Sequence, residues 1–119
     1  MKHVSRVFVL TLLALGMACP AASGASVFII GLGTYSCSQW LIHSAGDDAY
    51  HQGMGTWVDG YLSARNAVRA KAGQAGMVGQ STDREARDAW ITTYCKEHPG
   101  DVLFQATEAL EVELEKTGR

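Results

Sequence analysis

YHQGMGTWVDGYLSARNAVRAK, residues 50–71, is the stretch whose reading decides the architecture of this chain. Met54, Trp57, Val58, Tyr61, Leu62 and Val68 fall at i, i+3, i+4, i+7, i+8 and i+14, the spacing of one face of a helix. The spacing predicts a helix from about Tyr50 to Lys71, the clearest amphipathic segment of the chain.

Reading outward from it, Ser36 can cap an earlier helix, with Gln39 completing a capping box. Cys37, Trp40 and Leu41 form its inward edge, and Ser44-Ala45-Gly46 ends it. Downstream, Gly73, Gly76 and Gly79, interspersed with Gln74, Gln80 and Ser81, make a mobile polar loop. A third helix starts with Thr82 as cap and Glu85 reaching back, and it carries Ala86, Ala89, Trp90, Tyr94 and Cys95 on one side. Lys96 sits in its last turn, and Pro99 forces His98 out of helical conformation. Asp101 then caps a fourth helix with Leu103, Ala106, Leu110 and Leu114 inward, Val102, Ala109 and Glu113 at the border, and Glu108, Glu111 and Glu115 in solvent. The expectation is an all-α bundle of about four helices.

The first residues have the grammar of an export signal: Lys2 and Arg6, an apolar stretch from Val7 to Ala18, and small residues at Ser23-Gly24-Ala25. That stretch is shorter than the roughly 20 residues a membrane-spanning helix needs. Residues 1–25 are therefore read as a signal peptide and 26–119 as a single helical domain without a membrane span. Pro20, Ser23, Gly24 and Gly31 interrupt any fusion with the later run Val27-Phe28-Ile29-Ile30. Cys19 follows Gly16-Met17-Ala18, a poor match to a lipoprotein box at its first position, and is read as a discarded signal cysteine.

After cleavage only Cys37 and Cys95 remain, and an exported domain with one thiol pair is expected to close it as a disulfide. The closed loop spans 58 residue steps, worth roughly 4 kcal/mol in the chain-entropy model. The link would tie the first helix to the third and leave the fourth held by side-chain packing alone. Removing Lys2 and Arg6 from the 10 Lys and Arg leaves eight against 12 Asp and Glu, a net charge of −4. Scattered basic residues on an acidic domain exclude nucleic-acid binding from the expected functions.

GTYSCSQW at 33–40, WVDGYLSA at 57–64 and YCKEHP at 94–99 together resemble the HdeA/HdeB-like class of small exported bacterial proteins. The resemblance covers roughly Gly33 to Leu114. It implies a periplasmic, disulfide-closed helical domain, a homodimer near neutral pH, and an acid-stress holdase that loosens on acidification and coats unfolding clients. Under that reading Trp57, Val58, Tyr61 and Leu62 form the protein-binding surface, buried at neutral pH and exposed in acid. The composition allows it: with carboxylates neutral, eight basic residues, His43, His51, His98 and the amino terminus carry the charge from −4 towards +12, and self-repulsion favours expansion. Permanent core residues are the simpler account of the same spacing.

The chain departs from that class at its C-terminus, where Glu111-Val112-Glu113-Leu114-Glu115-Lys116 is acidic and the best-known members are lysine-rich. YCKEHP followed by an Ala/Leu helix also looks like periplasmic immunity proteins of the Rap1a/Tai kind, which bind and neutralise a peptidoglycan-cutting toxin. Tyr50, His51, Arg65 and Arg69 are candidates for the preformed patch such a binder needs, against the plainer reading of a solvated helix face.

Catalytic patterns are weak. Asp47 and Asp48 are adjacent carboxylates better suited to a cap or turn. His43, His51 and His98 lack metal-ligand spacing. Ser36, Ser38 and Ser63 do not sit in a Gly-x-Ser-x-Gly turn. Cys37 and Cys95 do not form C-x-x-C, and Gly31-Leu32-Gly33 opens no phosphate-binding helix. The chain is expected to act through protein contacts, without catalytic residues, metal or cofactor.

Overall fold

The computed structural model describes residues 24–119, which are all-helical apart from turns, an extended lead-in and a lone antiparallel bridge between Ser36 and Val102. A short 3₁₀ turn, Gly31–Thr34, precedes α1 (Cys37–Gly46), α2 (Ala49–Lys71), α3 (Arg84–Glu97) and α4 (Leu103–Thr117). The expected export signal lies almost entirely, and Cys19 wholly, outside the described residues.

Local chemistry sets most boundaries. Ser36 Oγ accepts from the Gln39 backbone N–H at 3.2 Å while Gln39 Oε1 accepts from the Ser36 N–H at 2.8 Å, the capping box expected for α1. Asp47 ends α1 in the left-handed region at φ 46, a conformation Asp tolerates better than most residues. Asp48 then caps α2 by accepting from the N–H groups of Tyr50 and His51, both at 3.0 Å. The adjacent carboxylates thus take the turn and cap roles expected of them.

Two caps differ from expectation. Asp83, not Thr82, starts α3, accepting from the Ala86 N–H at 2.7 Å. The Thr82 hydroxyl is already committed to the Gly79 carbonyl at 3.0 Å, so the next residue takes the role. Nor does Asp101 cap α4: its carboxylate accepts from the Tyr94 hydroxyl at 2.6 Å, and the N-cap position falls to Val102, whose N–H donates to Gln105 Oε1 at 2.9 Å.

Every helix contributes to the core: Cys37 and Trp40 from α1, Met54, Val58 and Leu62 from α2, Ile91 and Cys95 from α3, and Leu103, Ala106, Leu110 and Leu114 from α4. The inward positions of α4 are those expected. On α3 they are not. Ile91 and Cys95 point in, whereas Ala86 and Ala89 are exposed, because the side of α3 turned towards α2 carries Arg84, Arg87 and Asp88 in ion pairs. Val68 is also outside, 58% exposed, although its neighbour Arg69 is turned towards α4.

Cys37 and Cys95 are fully buried and joined as expected, with Cα atoms 4.8 Å apart. Side chains are not all that holds α4, however. The Cys37 N–H donates to the Asp101 carbonyl at 2.8 Å and the Leu103 N–H to the Tyr35 carbonyl at 2.7 Å. This reciprocal pair seats the first turn of α4 on the first turn of α1, beside the disulfide. The glycine-rich loop is likewise pinned, because the Asn66 side chain both donates to the Val78 carbonyl (2.9 Å) and accepts from its N–H (3.1 Å). An amide that satisfies both polar groups of one residue replaces the mobility expected from composition.

Candidate functional site

The four residues expected to form a protein-binding surface divide between two sides of α2. Val58 and Leu62 are 1% and 5% exposed and belong to the core. Trp57 and Tyr61 are half-buried, stacked on each other with centroids 5.8 Å apart, and Tyr61 meets Phe104 of α4 edge-on at 5.8 Å. The Trp57 indole N–H donates to the Ile30 carbonyl at 3.1 Å. Its ring lies against Gly33 so closely that a Cβ there would overlap it. The aromatic strip is therefore ordered at both ends.

Beneath it sits the residue that sequence reasoning misplaced. Glu111, expected in solvent, is 5% exposed. Its Oε1 accepts from Arg65 Nε at 2.9 Å and from an Arg69 guanidinium nitrogen at 2.5 Å, and its Oε2 accepts from the Tyr61 hydroxyl at 3.1 Å. Arg69 also pairs with Glu115. Burial alone would raise the Glu111 carboxyl, but the bonds from Arg65, Arg69 and Tyr61 outweigh it and hold the group below its ordinary range. Burial and the same carboxylate push Tyr61 up to about 12, so its hydroxyl stays a donor. Of the candidates for a free patch, Arg69 is thus spent inside the α2–α4 joint, and Arg65, half exposed, pairs with Glu111 at its edge. The available signal was the i, i+4 spacing of Arg65 with Arg69 and of Thr107 with Glu111 along the edge of an apolar stripe.

A second polar assembly braces α2 against α3. Asp59 accepts from Arg84 at 3.1 Å and from Arg87 at 2.9 Å. Arg84 Nε lies 3.1 Å from both oxygens of Asp88, and its guanidinium crosses Gly55, where a Cβ would collide with it, to donate to the Gln52 carbonyl at 2.9 Å. His51 is 9% exposed, edge-on to Trp40 at 5.0 Å, with Nδ1 on Asp47 Oδ1 at 2.8 Å and Nε2 3.4 Å from Asp88 Oδ2. Burial raises the Asp88 carboxyl against the opposing pull of Arg84 and His51. Both residues line an open cleft of about 810 Å³ between α1, α2 and α3.

The remaining candidates pack or hydrogen-bond to near neighbours. Tyr50 is 53% exposed and leans on His43, whose Nδ1 meets Asp48 at 2.6 Å and holds that carboxyl below its ordinary range. Ser38 and Ser63 donate to the backbone carbonyls of Pro99 and Asp59, and His98 stacks on Tyr94 at 4.1 Å. Gly31-Leu32-Gly33 forms the 3₁₀ turn beside Trp57. Among the described residues no group of three or more His, Cys, Asp or Glu could hold a metal ion, and no helix is long and apolar enough to cross a membrane. Against family models, curated proteins and solved structures, the chain gives no match.

Proposed function

We propose that the chain is a periplasmic acid-stress holdase, dimeric near neutral pH, that binds unfolding proteins through apolar surface uncovered when the pH falls. The observation that carries this reading is Glu111. A buried carboxylate held by two arginines and a tyrosine fastens the C-terminal half of α4, while backbone bonds and the adjacent disulfide fasten its first turn. A carboxyl depressed in the folded state contributes stability above its unfolded value and loses it as the pH drops through the folded value. Protonation in strong acid therefore weakens the far end of α4 and leaves the anchored end in place. Lifting that end uncovers Val58 and Leu62 of α2 and Leu110 and Leu114 of α4 beside the Trp57–Tyr61–Phe104 strip.

The test is light scattering of an acid-denatured client at pH 2 to 3, with and without the exported chain. Suppression at stoichiometric ratio is expected. Unchanged aggregation overturns the reading. A second reading draws on the order of the strip at neutral pH, since an immunity protein needs anchors positioned before its partner arrives. Inhibition of a neighbouring secreted amidase at pH 7, without any acid step, would select it.

A further inference from the structure

α2 and α4 lie side by side and run in the same direction, because Tyr61 meets Phe104 while Arg69, two turns further on, meets Glu115. At i, i+4 and i+7 α2 presents Ala64, Val68 and Lys71, and at the same spacing α4 presents Glu108, Val112 and Glu115; all six are exposed. The two valines are left 58% and 63% exposed. They continue the half-buried Trp57–Tyr61–Phe104 strip. Ile30, 75% exposed, extends that strip at its other end, where its carbonyl accepts the Trp57 indole N–H.

The two ridges carry opposite charge. On α2 the outward charges are Arg65 and Lys71, since its sole acid, Asp59, is turned to Arg84 and Arg87 of α3. On α4 they are Glu108 and Glu115, and its single basic residue, Lys116, lies in the last turn beyond Val112. The ion pairs across the seam engage Arg65, Arg69, Glu111 and Glu115 and leave out Lys71 and Glu108.

We propose that this face binds a second copy of the chain about a two-fold axis lying along the seam. Such an axis sets α2 of one protomer over α4 of the other in the same direction, so a basic ridge meets an acidic one twice. Val68 then packs on the partner's Val112, Lys71 reaches the partner's Glu115, and Arg65 the partner's Glu108. A partner of one sign, such as a phosphate-bearing surface, would satisfy one ridge and be repelled by the other. From Trp57 to Lys71 the face is about 21 Å long and, over two helices, about 20 Å wide, so two copies cover roughly 1,000 Å² in total, the low end for a specific pair. That size suits a dimer that forms and parts at micromolar concentration. As the form of the dimer in the holdase reading, the pairing rests on that reading, but it is measured at pH 7 with no client present.

The experiment is sedimentation equilibrium of the oxidised exported chain at pH 7, from about 1 to 500 μM. A mass rising to twice that of the single chain is expected. Val68→Asp and Val112→Asp, at exposed positions, should each weaken pairing by about tenfold or more, because a charge is then buried between apolar groups. Ile42→Asp, 70% exposed on α1, should leave it unchanged. Lys71→Glu and Glu115→Lys should each weaken pairing, since like charges then meet twice, and mixing the two variants should restore it, since every contact then joins opposite charges. If Glu115→Lys does not fold, the valine variants decide. A chain monomeric throughout, a dimer indifferent to both valine variants, or a mixture of the folded charge variants no more associated than its components overturns the proposal. Suppression of client aggregation by a chain monomeric at pH 7 would strike this face and keep the holdase; a dimer broken by these variants, without suppression, would do the reverse.

Discussion

Arg69 of α2 meets Glu111 of α4 at 2.5 Å across 42 residues of sequence, and each side chain is almost wholly withdrawn from water. Removing one partner of such a pair leaves the other buried without its counter-charge, which costs far more than the net worth of the intact pair. The joint is therefore a place where a single proton changes the stability of the C-terminal half of α4.

Glu111→Gln tests that directly. At pH 7 it should lower the unfolding free energy by about 3 kcal/mol in urea melts, because Arg65 and Arg69 lose the charge they converge on. Between pH 5 and 2 the wild type should lose more stability than the variant, since the Glu111 contribution is gone while Asp48 and the other carboxylates still titrate. Parallel slopes for the two proteins would remove Glu111 from the acid response.

Hydrogen exchange at pH 3 should show protection lost first in residues 110–117 and retained around Cys37, Cys95 and Leu103. The anchored end of α4 keeps its backbone bonds to Tyr35 and Cys37, which carry no titrating group. The α2–α3 brace responds with the opposite sign. A carboxyl raised in the folded state, as Asp88 is, favours the fold as it protonates, so that region should outlast the α2–α4 joint. Uniform loss across the four helices would contradict this order.

Reduction, or Cys37→Ala with Cys95→Ala, removes the closure of a 58-residue separation and should cost about 4 kcal/mol, read as a fall in urea midpoint.

Gly33→Ala places a methyl group in the Trp57 ring. The ring must move, with a cost of about 1–3 kcal/mol and a shift in Trp fluorescence. If the strip contacts clients, this variant should also suppress aggregation less well at pH 2 to 3.

Asp83→Ala should cost about 1 kcal/mol by removing the α3 cap, and Glu85→Ala should be close to neutral. The reverse order would restore Thr82 and Glu85 as the cap expected from sequence.

The α1 box at Ser36 and Gln39 and the stop at Pro99 were readable because a cap satisfies its own chain within three or four residues. The apolar stripe of α4 was readable for a similar reason, as periodicity needs no knowledge of the partner. Glu111 was not, because a glutamate at the edge of a stripe is solvated unless another helix brings cations to it. Asp101 shows the same effect: a plausible cap was diverted to Tyr94, a neighbour the turn brings within 2.6 Å. On α3, alanine spacing suggested an inner face that ion pairing with Asp59 turned outward.

By itself the sequence determined the helical class, the pairing of Cys37 with Cys95 and most of the core, since each follows from local spacing or from there being two thiols left to pair. Tertiary structure alone decided that Glu111 is buried, that Arg84 crosses Gly55 to join Asp59 and Asp88, and that α4 is seated on α1 by backbone bonds. Whether a polar group can leave water depends on partners drawn from distant parts of the chain, here 42 to 50 residues away for Glu111, and no local pattern records their arrival.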